Sequence, residues 1–580
     1  MIVFDIETST KGEPNPQVDK LEYIGFYDLK NKECIIYDKN QKEEIKKVFK
    51  KHRIIISYNG NNYDIPILKR EGLYNNNHIS IDLYQVLKKR GEYIGLRNES
   101  LSLKNVAKKL NLAEQKQDDF DYQLLNKKDK TREEIGYIKK YLEQDLKTTT
   151  KLFEHIHNFF EPFKEYVNDY NKKTMKWLTC SIASFAYKAI CNMCNIKEEY
   201  DDNTHSKTYE GGYVTEPIKA YASNVILFDF SSLYPFCFAQ CNLFSPQNDG
   251  WTNKKIGMKG YYNPDNQGRI EQALMKLYKQ RYEYKKKGDK REYTIKIIIN
   301  SLYGAAANPV FKNLYNRTAA RDCTAIARYC IKMARKIFTK AGYTCLYSDT
   351  DSIYVELNKK QIRETAEQVA DYIINTIQKE FLFKEEMFKF KIDDEIKHIW
   401  FFKKNDKFLK KMYIYVTKQD KLVIKGLPLI KNDGSKIGYH IFNKYMKQSL
   451  IKGNNDFKYN DIKKWVYDEL NNDISLVSRE FKVKSFDWYK LPSQLQAQIS
   501  KKYGFGRHLL ICNDSYGVGI GKKYCTIKEF KEQGLGIHNI DLSKFWSEMK
   551  LFIDDYPVSV KVKRNKRRVN NQKLLEKWIN

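Results

Sequence analysis

The chain opens on an apolar run, MIVFDIET (residues 1–8), broken only by Asp5 and Glu7. Apolar, β-prone runs bounded by polar clusters read as strands. Positions two apart on a strand project from one face, so Asp5 and Glu7 share a side. A second such run, RIIISY (residues 53–58), leads into NGNNYD and leaves Asp64 at the start of a helix. The period then lengthens. Ser102 and Leu103 open a helix, SLKNVAKKL, with Val106 and Leu110 on its buried side. IGYIKKYLEQDLKTTTKLF is an amphipathic helix on which Tyr141 and Asp145, four apart, share a face. Residues 151–200 read as helices rich in aromatics and lysines, closed by the polar break EYDDNTHSK.

The strand VILFDF (residues 225–230) then delivers Asp229, and the chain turns at Ser232 into a short segment ended by Pro235. Residues 270–304 predict two helices separated by the polar turn KKKGDKR. Arg281 and Lys285 lie four apart on the first, and Lys296, Asn300 and Tyr303 follow at four and three on the second. Each set occupies one helix face, so an antiparallel pair presents cations to a common point. A further helix covers about 322–341. Two short strands, 343–347 and 353–355, then meet at a tight Asp349-Thr350-Asp351 turn. The turn brings two carboxylates together at a strand edge, which makes sense beside divalent cations. Taken alone, such a turn also fits a solvated hairpin tip, and Asp5 with Glu7 also fits scattered surface acids.

Composition narrows the partners. Lys and Arg number 103 against 72 Asp and Glu, a formal charge of +31. That surplus points to a polyanion, nucleic acid before acidic membrane. No apolar run approaches the ~18 residues a span needs, and Met1 leads into a strand rather than a signal peptide. Eleven cysteines in 580 residues do not suggest a disulfide scaffold, so a reducing cytoplasm is expected. The one CxxC, Cys191 to Cys194, has no second pair at zinc-site spacing and reads as buried helix cysteines. The length suggests roughly three to five domains or subdomains.

Asp5 and Glu7, then Asn59, Tyr63 and Asp64, then Tyr141 and Asp145 resemble the three DEDDy-type exonuclease motifs of family B DNA polymerases. The resemblance implies an RNase H-like 3′→5′ proofreading domain with two metals held by Asp5, Glu7, Asp64 and Asp145. In it Tyr141 orients the attacking water, and Asn59, Tyr63, Ser102 and Leu103 hold a frayed single-stranded 3′ end. Tyr209-Glu-Gly211-Gly212 resembles the YxGG/A element between the two domains of small family members. It helps to direct the primer between sites.

DFSSLYP (residues 229–235) closely matches the first palm motif of the same family, and KIIINSLYG (296–304) its fingers motif. The resemblance implies that Asp229, Asp351 and the Phe230 carbonyl hold two Mg²⁺, with Asp349 beside them and Mn²⁺ able to substitute. Ser232, Leu233 and Tyr234 would line the nucleotide site, and Tyr234 would exclude a 2′-OH. Arg281, Lys285, Lys296 and Asn300 would take the triphosphate, and Tyr303 would pack on the nascent base pair. Lys411-Met-Tyr413 resembles the KxY element that braces the primer terminus, and Lys425-Gly426 the KG that follows it.

The implied fold is a multidomain α/β protein: an RNase H-like exonuclease, then a right-hand palm, fingers and thumb. The expected divisions are exonuclease 1–155, helical linker 156–208, palm 209–269 and 305–434, fingers 270–304, and thumb with carboxy-terminal region 435–580. The implied function is template-directed DNA synthesis with proofreading on primer–template DNA and dNTPs. Helicase, primase and single-strand-binding protein are the accessory partners such an enzyme meets, and no membrane is involved. A cytoplasmic setting follows, that of a bacterial host for a phage enzyme. The alternatives are a protein-primed replicase and a primer–template-binding protein with reduced activity. An RNA-templated or primer-making enzyme is a further rival, which Tyr234 argues against on the product side. The exonuclease begins at Met1, so the domain that larger members wrap around it is expected to be missing, as at the compact, phage-type, phi29-like end of the family. The phi29-like enzymes carry an insertion before the fingers that docks a priming protein and another after them that closes a ring, whereas this chain has about 35 residues between Pro235 and the first fingers helix, and barely a dozen, AAANPVFKNLYN, after Gly304. A dozen residues make a turn or short hairpin but no ring element. Extension from an ordinary primer with weak strand displacement is therefore expected. The terminal KVKRNKRR reads equally as a DNA-tracking strand or a solvated end.

Overall fold

Strand β1 (Ile2–Ser9) is apolar on both faces because both are covered, and Val3 and Phe4 are fully buried. It pairs antiparallel with β2 (Lys20–Asp28), which pairs with β3 (Glu33–Asp38). Its other edge runs parallel to β4 (Ile54–Ser57), which continues to β5 (Ile79–Asp82), giving the order β3-β2-β1-β4-β5. Helix α1 (Lys42–Lys51) joins β3 to β4 and α2 (Asp64–Arg70) joins β4 to β5, while α3 (Leu83–Arg90) and α4 (Leu103–Lys109) follow β5. Helix α5 (Arg132–Phe160) starts at a capping box between Thr131 and Glu134. Its buried stripe approaches β2 at Gly25, where a Cβ would come within 2.5 Å of Leu146 and 3.0 Å of Leu142. Glycine there lets the helix lie close to the sheet and carries Tyr141 and Asp145 towards β1. α5 runs unbroken past residue 155, where a division was expected.

The computed structural model describes residues 1–553, apart from 11–13, 76, 97–100, 113–119, 202–207, 246–255, 264, 382–387, 405, 431–434, 484–485, 487–490, 505, 513–516 and 519–523. The basic run KVKRNKRR lies outside the described residues. Contacts divide the chain into two compact units. One comprises Met1–Val214, Phe228–Val355 and Lys359–Asp393. The other comprises Thr215–Leu227, Glu356–Asn358 and the chain from Asp394 onward.

In the first unit the five-stranded sheet is followed by short helices and α6 (Ile182–Met193), at whose end Cys191 and Cys194 are buried free thiols. Strand β6 (Tyr221–Phe230) brings its last residues into this unit, and helix α7 (Leu233–Gln240) follows. Pro235 does not end that segment, as the sequence suggested. It sits in the first turn of α7, where its missing N–H is unpaired anyway and its φ suits a helix. Helices α8 (Arg269–Lys286) and α9 (Arg291–Ala307) form an antiparallel hairpin, and α10 (Arg317–Lys340) packs behind α7. Strands β7 (Thr344–Asp349) and β8 (Ser352–Glu356) then meet at the Asp-Thr-Asp turn, and α11 (Arg363–Phe381) follows. The backbone N–H of Phe230 bonds the Asp351 carbonyl at 2.9 Å. That of Ser231 bonds the Lys389 carbonyl at 2.9 Å, just before strand β9 (Phe390–Lys404).

The second unit has its own core. β10 (Lys407–Thr417) pairs antiparallel with β9 and with β11 (Leu422–Lys425). Trp400, Ile414 and Leu427 meet Ile437, Val466 and Trp546 from the helices beyond. Among the described residues, no helix is long and apolar enough to cross a membrane.

Candidate active sites

Two carboxylate sites lie in the first unit. In the first, β1 presents Asp5 and Glu7 side by side, the start of α2 presents Asp64, and α5 presents Asp145. Burial pushes Glu7 up to about 8, and repulsion from Asp145 and Asp64 adds to the rise. Burial likewise raises Asp5 well above the usual carboxylate range, with Asp64, Asp145 and Glu7 adding to it. Asp64 rises to about 7 through burial, with Asp82 as a further negative neighbour. The sequence-predicted acids are therefore brought together, and the charges acting on Glu7 are all negative. Four carboxylates gathered in one place offer the hard oxygen ligands that suit Mg²⁺ or Mn²⁺. Among the described residues no three acidic, His or Cys side chains form a preassembled metal cage. Such ions routinely keep water or substrate oxygens as their remaining ligands.

Tyr141 stands beside the acids, stacked on Phe120 with ring centres 4.1 Å apart and its hydroxyl 3.1 Å from that of Tyr122. Tyr63 donates to Asp19 at 2.7 Å, and its hydroxyl lies 2.7 Å from Thr8 Oγ1. Asn59 takes a left-handed backbone, φ 64°, and its N–H donates to Asp82 Oδ1 at 2.9 Å. The Asn61 N–H reaches the other Asp82 oxygen at 3.2 Å. Asp82 thus shapes the loop that carries Asn59 and Asp64, a role the sequence reading missed. The signal was an acid closing a short strand, ISID, immediately before a helix. Ser102 caps α4 by accepting the Asn105 N–H, with Leu103 next to it.

The second site is a cavity of about 830 Å³. β6 delivers Asp229, and the chain reverses at Ser232 through a left-handed backbone, φ 55°, before α7 presents Leu233 and Tyr234. Across the Asp-Thr-Asp turn, where Thr350 has φ 62°, only Thr350 and Asp351 line the cavity. Beside them Asp349 accepts the Thr350 hydroxyl at 3.1 Å. Asp349 ends β7, and its backbone bridges to Val214. Burial lifts Asp229 to about 8, Asp351 and Asp393 push it further, and Lys391 and Lys296 pull it down.

The α8–α9 hairpin supplies Arg281, Lys285, Lys296 and Asn300 to the same cavity. Arg281 is already held. Its Nε donates to Glu292 at 2.9 Å and an Nη to Ser232 Oγ at 3.1 Å. Glu292, one turn before Lys296, went unnoticed in the sequence because one of several acids among many lysines and arginines carries no signal of its own. Tyr303 lies against Tyr234, ring centres 4.7 Å apart, and its hydroxyl is 3.0 Å from that of Tyr209. A Cβ on Gly212 would fall 2.9 Å from both Thr350 and the Tyr234 hydroxyl, so a larger residue would make a side chain shift here. Arg328 bonds the carbonyls of Glu210 and Gly211 and fixes the segment on α10. Lys389, Lys391 and Asp393 also line the cavity, and none was singled out in the sequence.

In the second unit, Lys411 and Tyr413 lie on β10, and Tyr413 pairs with Lys425 of β11. Gly426 packs so tightly on the Lys411 carbonyl that a Cβ would collide with it. The KxY and KG elements are thereby side by side.

Comparison with known proteins gives two family matches. An RNase H superfamily model matches residues 2–157, and the DNA polymerase family B model matches 119–247 and 269–504. A DNA polymerase of Archaeoglobus fulgidus is 25% identical over 490 residues, covering 75% of this chain and 58% of that protein. One from Desulfurococcus is 28% identical over 270 residues, covering 42% of this chain and 32% of its own length. The chain thus spans under two thirds of these relatives. The solved family B DNA polymerase of Pyrobaculum calidifontis superposes with a TM-score of 0.61 at 15% identity, over 96% of this chain and 78% of that one, a likeness of fold.

Proposed function

The chain belongs to DNA polymerase family B, and from that membership we propose that it extends primers on a DNA template and proofreads with its own 3′→5′ exonuclease. One observation carries the reading. Asp229 and Asp351 face a cavity whose other walls bear the hairpin cations Arg281, Lys285 and Lys296 and the ring of Tyr234. Carboxylates for divalent cations and cations for a triphosphate in one chamber suit nucleotidyl transfer.

Asp229, Asp351 and the Phe230 carbonyl would hold two Mg²⁺ or Mn²⁺ ions, with Asp349 beside them. Asp5, Glu7, Asp64 and Asp145 would hold the exonuclease pair. Bound there, such ions lower the pKa of the attacking oxygen and neutralise the leaving group. The chain's own groups do the rest. Arg281, pre-set by Glu292 and Ser232, grips phosphate with Lys285, Lys296 and Asn300. Tyr303 supports the new base pair. Tyr141 orients the water at the other site, where Asn59, Tyr63, Ser102 and Leu103 hold the frayed strand. Tyr209, Gly211 and Gly212 steer the primer, and Lys411 with Tyr413 braces its end. Primer–template DNA and dNTPs are the ligands; helicase, primase or single-strand-binding protein would be accessory partners. The ten cysteines whose side chains are described are free thiols, which supports a cytoplasmic setting.

The proposed layout is exonuclease to residue 155, linker to 208, palm in two parts around fingers 270–304, and thumb from 435. The finer subtype, a compact phage-type enzyme akin to phi29-like members without their insertions, rests on the nine residues 308–316 that join α9 to α10. The relatives named above are archaeal, and they lend that subtype no support. Primer extension on a singly primed DNA circle, with and without dNTPs, tests these readings together. Extension with dNTPs and shortening without them are expected, with products ending near one circle length. Absence of both activities overturns the function. Kilobase displacement products overturn the argument from missing insertions.

Tyr234 carries a separate prediction. Its ring packs against that of Tyr303. Tyr234→Ala should raise ribonucleotide incorporation by about two orders of magnitude, the loss of a steric clash of roughly 3 kcal/mol, with little change for dNTPs. An unchanged rNTP/dNTP ratio would falsify the sugar-gate assignment.

A further inference from the structure

We propose that Lys389 and Lys391 form a second phosphate-binding edge of the Asp229–Asp351 cavity, distinct from the cations of the α8–α9 hairpin. The inference deepens the polymerase reading and rests on it.

The sequence FKFKID (388–393) alternates with period two, so its side chains divide between two faces. Phe388 stacks on Phe236 at 4.4 Å, and Phe390 on Phe230 at 4.1 Å, both fully inside the core. The Ser231 N–H to Lys389 carbonyl bond fixes the register against the segment that carries Asp229. With the phenylalanines locked inward, Lys389, Lys391 and Asp393 must project from the other face, and all three line the cavity. A one-residue slip would bury the lysines and expose the rings.

Charge then decides what this face is for. The hairpin already offers Arg281, Lys285, Lys286 and Lys296 to a triphosphate of about four negative charges. Lys389 and Lys391 come in addition, from a different element. Neither ammonium has a hydrogen-bond or ion-pair partner among the described residues, whereas Arg281 is engaged by Glu292. Lys391 is close enough to pull on the Asp229 carboxylate. Two unpaired ammonium groups beside the reacting carboxylates match phosphate oxygens, which lysine binds as a point charge. Two sources of phosphate reach such a cavity: the terminal phosphodiesters of the primer strand and the released pyrophosphate.

The test uses the Lys389→Met/Lys391→Met double variant, because methionine keeps the apolar stem and removes the charge. Binding of a fluorescein-labelled primer–template duplex is followed by anisotropy in EDTA across a salt series, and inorganic pyrophosphate binding by calorimetry. If the primer is the source, duplex affinity falls about tenfold or more, and the log–log salt slope drops by about one per lysine. If pyrophosphate is the source, its affinity falls while that of the duplex is unchanged. Asp393→Asn should move the affected affinity the opposite way. The inference is overturned if neither affinity changes, or if Lys336→Met/Lys340→Met, on the α10 surface outside this cavity, gives the same loss. Both readouts are equilibrium binding, so a protein that fails to extend primers but shows the lysine dependence refutes the polymerase reading alone. An active polymerase with unchanged binding refutes this inference alone.

Discussion

Asp229→Ala, or Asp351→Ala, is expected to lower nucleotide addition by about a thousandfold or more while leaving degradation of a single-stranded primer largely intact. Asp5→Ala with Glu7→Ala should do the reverse. The reason is spatial. Asp229 and Asp351 share one cavity, and the groups that act on Asp229 are Asp351, Asp393, Lys391 and Lys296, none of them from the β1 site. The groups that act on Glu7 are Asp145 and Asp64. Each set of acids is thus electrostatically closed on itself, although both lie in one compact unit. Stability gives a second readout. Asp229 is buried against a like charge, so its removal should not lower the melting temperature, whereas a merely structural acid would do so. Loss of both activities in a variant with native circular dichroism and melting temperature would sink the two-site reading.

Much of this was legible in the sequence because the chemistry sits in short contiguous runs. DIE, NGNNYD, DFSSLYP and YSDTDS each carry their functional side chain and the backbone feature that aims it. Residues at special φ values, Asn59, Ser232 and Thr350, fall inside those runs. What escaped was supplied from a distance. Asp82 acts on a loop more than twenty residues earlier in the chain, and its effect exists only once β5 lies beside β4. Glu292 matters only because α8 and α9 are antiparallel and set it against Arg281. The FKFKID alternation was visible, but a strand that alternates Phe and Lys reads as an ordinary half-exposed edge until its open face is found in a cavity. Pro235 misled because proline breaks helices everywhere except the first turn, where it stands. The second unit was least legible. Its core joins Trp400, Val466 and Trp546 across nearly 150 residues, and no local pattern encodes such a meeting.

The largest conditional effect concerns the metal-free protein, which should lose stability as the pH rises from about 6.5 to about 8. Glu7 in the fold titrates near 8 and Asp64 near 7, and Asp5 is raised well above its ordinary value, chiefly through burial. Asp229 titrates near 8 for the same reason. In the unfolded chain these acids ionise near 4. Between the two values the fold holds protons that the unfolded chain has released, so rising pH favours unfolding. Each such group costs about 1.4 kcal/mol per pH unit until it ionises. Three histidines oppose this. His52, His155 and His398 are pushed down by burial, so they destabilise the fold at low pH and cease to do so above about 6.5. The carboxylates therefore show cleanly only in the window from about 6.5 to about 8. Divalent cations should reverse the trend, because they bind the ionised acids and compete with the protons. Millimolar Mn²⁺ or Mg²⁺ should raise the melting temperature strongly near pH 8 and hardly at all near pH 5. Asp5→Asn with Glu7→Gln should flatten the metal-free slope and reduce the response to metal. The measurement is calorimetric unfolding in EDTA and in metal at matched pH. A metal-free protein whose stability rises from pH 6.5 to 8, or a double variant with an unaltered slope, would show that these acids are not the repelling set that binds the cations.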